Sequence, residues 1–122
     1  MRKVVPTEHA EQSALMQRVR LHEARYPALK MLAAVPNGAR VAFSTAHKLK
    51  REGMKAGVPD LLLLFPAQGF HGLAIELKSL TGSTSKEQKD WIERLNSHGY
   101  RAEVCKGHEA AWKVIAEYLS IP

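Results

Sequence analysis

Asp60 follows the turn Gly57-Val58-Pro59, and further along the chain Glu76 and Lys78 flank Leu77. Both segments read as strands. Asp60 to Phe65 is an apolar run too short for a confident helix and is bounded by turn residues, while Leu73 to Lys78 sets Ile75 and Leu77 on one face and Glu76 and Lys78 on the other. An antiparallel hairpin through Pro66–Gly72, centred near Gly69, opposes Asp60 to Lys78 and Leu62 to Glu76. Directly opposed residues share a face, so two carboxylates and an ammonium gather at one end of the hairpin, and a slip of one residue would scatter them. Two carboxylates and a backbone carbonyl are the hard oxygen ligands that Mg²⁺ prefers, with positions left for water and a phosphate oxygen. An ion held there would acidify a water and neutralise charge building on the phosphate, while Lys78 orients that water or assists its deprotonation. The chemistry indicated is phosphodiester hydrolysis. Taken singly, the residues have a plainer reading: a cross-strand Glu76–Lys78 ion pair, and an aspartate opening a strand after a proline turn. The joint pattern favours the hydrolytic one.

Other elements must position this group. Thr7 is placed to cap a first helix, with Leu15, Val19, His22 and Tyr26 on one stripe and Pro27 closing it. Met31 to Val35 reads as a short strand entering the turn Pro36-Asn37-Gly38. Arg40 to Lys55 forms a basic arm. Ser85-Lys86-Glu87-Gln88 has the form of a capping box and opens a helix that presents Trp91, Ile92 and Leu95 and stops at Gly99. Tyr100 to Lys106 is a further strand, and Gly107 opens a last helix through Ala111, Ile115 and Leu119. The expected architecture is α/β: a mixed sheet of about four strands flanked by helices.

The chain has 122 residues, enough for one compact domain spanning 1–122. Its apolar and charged fractions, 45% and 25%, are those of a soluble globular protein. Eighteen Lys and Arg against twelve Asp and Glu give a formal charge of +6, which favours polyanionic partners without proving them. Cys105 is the only cysteine, which excludes an intrachain disulfide and a clustered thiolate zinc site and suits a reducing compartment. The longest apolar run, Leu61 to Phe65, falls far short of a membrane span, and no signal-peptide stretch opens the sequence, so a cytoplasmic location is expected.

At these residues the sequence resembles the PD-(D/E)XK nuclease superfamily and, within it, the stand-alone VRR-NUC proteins of bacterial phages and prophages. The resemblance covers nearly the whole chain and rests on Pro36-Asn37-Gly38, Gly57-Val58-Pro59-Asp60-Leu61, Glu76-Leu77-Lys78, the Ser85-x-x-Gln88-Lys89-x-Trp91 helix start and the Gly99-Tyr100 turn. It implies a restriction-endonuclease-like core with Asp60 and Glu76 as Mg²⁺ or Mn²⁺ ligands, the Leu77 carbonyl as a third, Lys78 as the catalytic lysine and a helix-one glutamate completing the site. It also implies structure-selective endonuclease activity on branched DNA such as Holliday junctions, often by homodimers.

Two acids compete for the helix-one role. At about 100° per residue with Leu15 as zero, Glu8 falls near +20°, Gln12 near +60° and Glu11 near −40°. The stripe of Leu15, Val19 and Met16 centres at roughly +40°, which favours Glu8, with Glu11 the alternative. Either acid also suits the helix N-terminus by charge alone. Gln88 likewise fits a capping box without any active site, although the family pattern puts a glutamine near the metal. Arg40, Lys48, Arg51 and Lys55 are candidate phosphate contacts, and Asn37 is either one more or simply a turn residue. None of the six histidines forms the close pair of a zinc hydrolase, and Trp91 and Trp112 fit core-facing stripes. A non-catalytic basic DNA-binding module with a nuclease-like fold is the competing reading.

Overall fold

The computed structural model describes residues 4–36 and 42–122. Helix α1 (Glu8–His22) starts where Thr7 Oγ1 accepts a hydrogen bond from Ala10 N at 3.0 Å. It stops short of Pro27, which opens a 3₁₀ turn (Pro27–Met31) leading into β1 (Leu32–Ala34). The next element corrects a sequence expectation. Part of the basic arm is helix α2 (Phe43–Arg51), which lacks a side-chain N-cap and buries none of its residues. Strands β2 (Leu61–Leu63) and β3 (Leu73–Lys78) follow, then α3 (Lys86–Ser97), β4 (Arg101–Lys106) and α4 (His108–Leu119). No described helix is long and apolar enough to cross a membrane.

The four strands lie in the order β1-β2-β3-β4, antiparallel except for the β3–β4 pair, which α3 connects as a crossover. Every residue of β3 is buried, as expected of a strand covered on both faces. Leu61, Leu63, Ile75, Leu77 and Cys105 join Leu15 and Val19 of α1 and Ala111, Ile115 and Tyr118 of α4 in the main core. On the other face Leu62 and Ala74 share an apolar cleft of about 290 Å³ with Trp91 and Leu95 of α3. Burial pushes the Cys105 thiol up to about 11, with nearby Glu103 adding to the shift and Arg101 opposing it.

The hairpin register is two residues from the expected one. Leu61 faces Ile75, Leu62 faces Ala74 and Leu63 faces Leu73, which brings Asp60 opposite Glu76 rather than Lys78. The cause lies in the connection. Gln68 and Gly69, at φ 52° and 84°, make a two-residue turn closed by the Ala67–Phe70 bridge, and Pro66, having no N–H, helps leave the two arms unequal in length. Tyr118 fixes this loop, its hydroxyl donating to Phe65 O at 2.7 Å and accepting from Ala67 N at 3.1 Å. A shift of two preserves side-chain parity, so the charged face survives the correction.

Candidate active site

In the observed register Leu77 lies opposite Pro59 at the end of the hairpin, beyond the last β2–β3 pair. The Asp60 carboxylate is the acceptor there, with Leu77 N donating to Oδ2 at 2.8 Å, while Pro59, having no N–H, can donate nothing to the Leu77 carbonyl. Asp60 is thereby fixed beside Glu76. The preceding turn is held just as tightly, because a Cβ on Gly57 (φ +88°) would lie 2.5 Å from the Glu87 carbonyl carbon at the start of α3.

Glu76 is 1% exposed and Lys78 6%. Desolvation pushes the Glu76 carboxyl up to about 9, helped by its hydrogen bond to Asp60 and the Asp60 charge and opposed by the Lys78 ammonium. Charge on Glu76 is costly in so dry a place beside a second carboxylate, so Glu76 holds its proton unless a cation compensates it. Lys78 Nζ is 3.8 Å from Glu8 Oε1, which brings the first turn of α1 to the same spot.

Glu8, Asp60, Glu76 and Lys78 are therefore brought together, with the Leu77 backbone beside them. Among the described residues no three His, Cys, Asp or Glu side chains converge as a metal-ligand group, and Glu8 joins the cluster through Lys78. Two carboxylates and a carbonyl nevertheless suit Mg²⁺, which usually keeps several waters and takes one or two protein carboxylates. The donor set fits the ion, and the proton held on Glu76 marks where its charge would be accommodated.

Helix α1 corrects the inward ordering expected of its polar residues. Glu11 is 4% exposed, while Glu8 and Gln12 are half-buried. The buried stripe is Glu11, Leu15 and Val19, centred on Leu15; Met16, only partly buried, had pulled the expected centre to one side. It is nonetheless Glu8 that pairs with Lys78, and Glu11 makes its contacts with α4. Its carboxylate accepts from His108 N at 3.2 Å and lies 3.0 Å from His108 Nδ1, so it caps α4 from another helix. Sequence reasoning overlooked this clamp. Its signal is Gly107, a helix N-cap with no side chain to do the work, where a Cβ would come within 2.7 Å of Glu11 Oε2.

Gln88 completes the capping box: its Oε1 accepts from Ser85 N at 2.9 Å, and its own N–H donates to Ser85 Oγ at 3.2 Å. It also lines a cavity of about 280 Å³ with Lys50, Lys55, Gly57 and Val58, between α2 and the start of α3. Lys48, Arg51 and Lys55 are exposed. Arg40 and Asn37 lie outside the described residues. Trp91 is half-buried, with Nε1 donating to Ala56 O at 3.1 Å, and Trp112 is buried under the Arg18 guanidinium.

The family model of the VRR-NUC domain matches residues 4–109. A solved structure described as a "VRR_NUC domain protein" superposes with a TM-score of 0.82 at 30% identity, covering 98% of this chain and 93% of that one. A search of the curated proteins finds no match.

Proposed function

Given that the chain belongs to the VRR-NUC family of nuclease domains, we propose that it is a Mg²⁺- or Mn²⁺-dependent deoxyribonuclease. The observation that carries this reading is the Asp60–Glu76 pair at the end of the hairpin, with Glu76 and Lys78 buried on the same face and Asp60 half-buried beside them. Asp60, Glu76 and the Leu77 carbonyl would hold the ion, and Glu8 completes the set. When bound, the ion supplies Lewis acidity toward the phosphate and lowers the pKa of a coordinated water.

The chain's own groups do the rest. Asp60 is held by Leu77 N, which keeps one of its oxygens directed and leaves the other for the ion. Glu76 gives up its proton on loading and then carries negative charge in a place where only a cation stabilises it. Lys78, held by Glu8 and excluded from bulk water, orients the attacking water and stabilises charge on the phosphate. Gln88 stands at the neighbouring helix start, and Lys48, Arg51 and Lys55, with Arg40 and Asn37, hold the DNA backbone. The enzyme acts in the cytoplasm as a homodimeric endonuclease selective for branched DNA.

Purified protein incubated with fluorescent branched, flap and linear duplex DNA should cut in Mg²⁺ and stop in EDTA, preferring the branched substrates. Cleavage that persists without metal sinks the mechanism, and light scattering checks the dimer. A non-catalytic binding module would show no Mg²⁺ uptake dependent on Asp60 and Glu76 by titration calorimetry.

A further inference from the structure

Phe43 is 87% exposed at the start of a helix that buries nothing. Ala46 and Leu49 are the half-buried residues of α2, and the rest of the helix is exposed. At about 100° per residue Leu49 falls roughly 120° from Phe43 and Ala46 roughly 60° from it, while Phe43, His47 and Arg51, at i, i+4 and i+8, follow one exposed stripe. The Phe43 and His47 rings lie nearly parallel, with centroids 6.1 Å apart and planes 21° from each other. Arg51 and Lys48 are exposed beside them, and no acidic residue occurs between Phe43 and Arg51. A phenyl, an imidazole and a guanidinium in one line are the three kinds of planar group on which nucleobases stack.

We propose that Phe43 and His47 are a stacking platform for an unpaired base of the DNA substrate, with Arg51 and Lys48 on the adjoining phosphates. The proposal rests on the nuclease reading above and names the feature of the substrate that is recognised. An intact duplex presents base edges and sugar-phosphate backbone, so an aromatic face gains full contact only where a base has lost a stacking neighbour. The cationic surround points to a polyanion, since an apolar protein surface would gain nothing from Lys48, Lys50 and Arg51 in the same helix. The helix that carries the platform also borders a cavity that Lys50 lines together with Gly57 and Val58, the residues that lead through Pro59 to Asp60.

The test is binding without cleavage. In EDTA, fluorescence anisotropy compares a duplex carrying a single-stranded flap with a fully paired duplex of equal length, for the unaltered protein, Phe43→Ala and Phe43→Trp. Phe43→Ala should weaken flap binding about tenfold and paired-duplex binding by roughly twofold or less, while Phe43→Trp keeps the flap preference. A 5-iodouracil placed at the unpaired position should photocross-link to tryptic peptide 41–48, released by cuts after Arg40 and Lys48. Equal losses on both DNAs, an unchanged flap affinity or a cross-link mapped elsewhere overturns the platform. So does Phe43→Ala that alters only the mass seen by light scattering, which would make the patch a contact between protein chains. Failure of the unaltered protein to bind any DNA overturns the nuclease reading as well and is a separate result from binding that ignores Phe43.

Discussion

At the end of the β2–β3 hairpin, a glutamate and a lysine are withdrawn from water beside a half-buried aspartate that the backbone holds; along α2, cations and a phenyl ring stand in solvent on a helix that buries nothing. The difference matters because charge interactions strengthen as water is excluded and are screened within about 10 Å where it is not. Buried groups can be set in one geometry before substrate arrives, which suits bond cleavage. Exposed ones can follow a substrate of variable shape, which suits binding. On the reading proposed above, these tasks fall to the sheet and to the exposed helix respectively.

The contrast breaks most visibly if the buried side proves replaceable. Asp60→Ala, Glu76→Ala and Lys78→Ala should each lower single-turnover cleavage about 10³-fold, and a double variant should lose little more, because groups acting as one unit are not additive. Circular dichroism checks that each variant folds. Residual cleavage near a tenth of the unaltered rate would remove that group from the mechanism.

A pH series sharpens the same side. The folded Glu76 carboxyl sits near 9 against an ordinary value of 4.5, so between those limits the native state holds a proton that the unfolded chain has released. The metal-free protein should therefore lose stability as pH rises through that window. Tm in EDTA should fall accordingly, Glu76→Gln should flatten the fall, and added Mg²⁺ should raise Tm more at high pH than at low. A Glu76→Gln profile parallel to that of the unaltered protein would show that the proton sits elsewhere.

A smaller effect separates the two acids of α1. Glu11→Ala leaves the His108 N–H without its partner and should cost about 1–3 kcal/mol in urea unfolding. Glu8→Ala should change stability by roughly 0.5 kcal/mol or less and act on cleavage instead. The reverse outcome would exchange their roles. The smallest effects belong to α2 and its exit: Lys48→Ala and Lys55→Ala should each weaken DNA binding a few-fold and reduce the salt slope by about one, measured by anisotropy against salt concentration.

Much of this arrangement was legible from local patterns. The Thr7 cap, the bounds of β3, the Ser85–Gln88 capping box and the α4 start are set by neighbours in sequence, and each stands where those neighbours put it. The hairpin register was off by two because a symmetric turn at Gly69 ignored the unequal arms around Pro66, a consequence of loop geometry that strand alternation does not encode. Helix α2 read as an arm because it has no capping side chain and only Ala46 and Leu49 are even half-buried. The Glu11–His108 clamp joins residues far apart in the chain, and only the packing of α1 against α4 reveals it.

Cys105 gives this division an experimental handle. A thiol sealed beneath the sheet, with its pKa raised to about 11, stays protonated and out of reach of maleimides near neutral pH. A cysteine introduced on the outer side of α2 would then be the one position that accepts a dye or nitroxide, so distances from that helix to a labelled DNA end can be followed without first stripping a competing thiol from the protein.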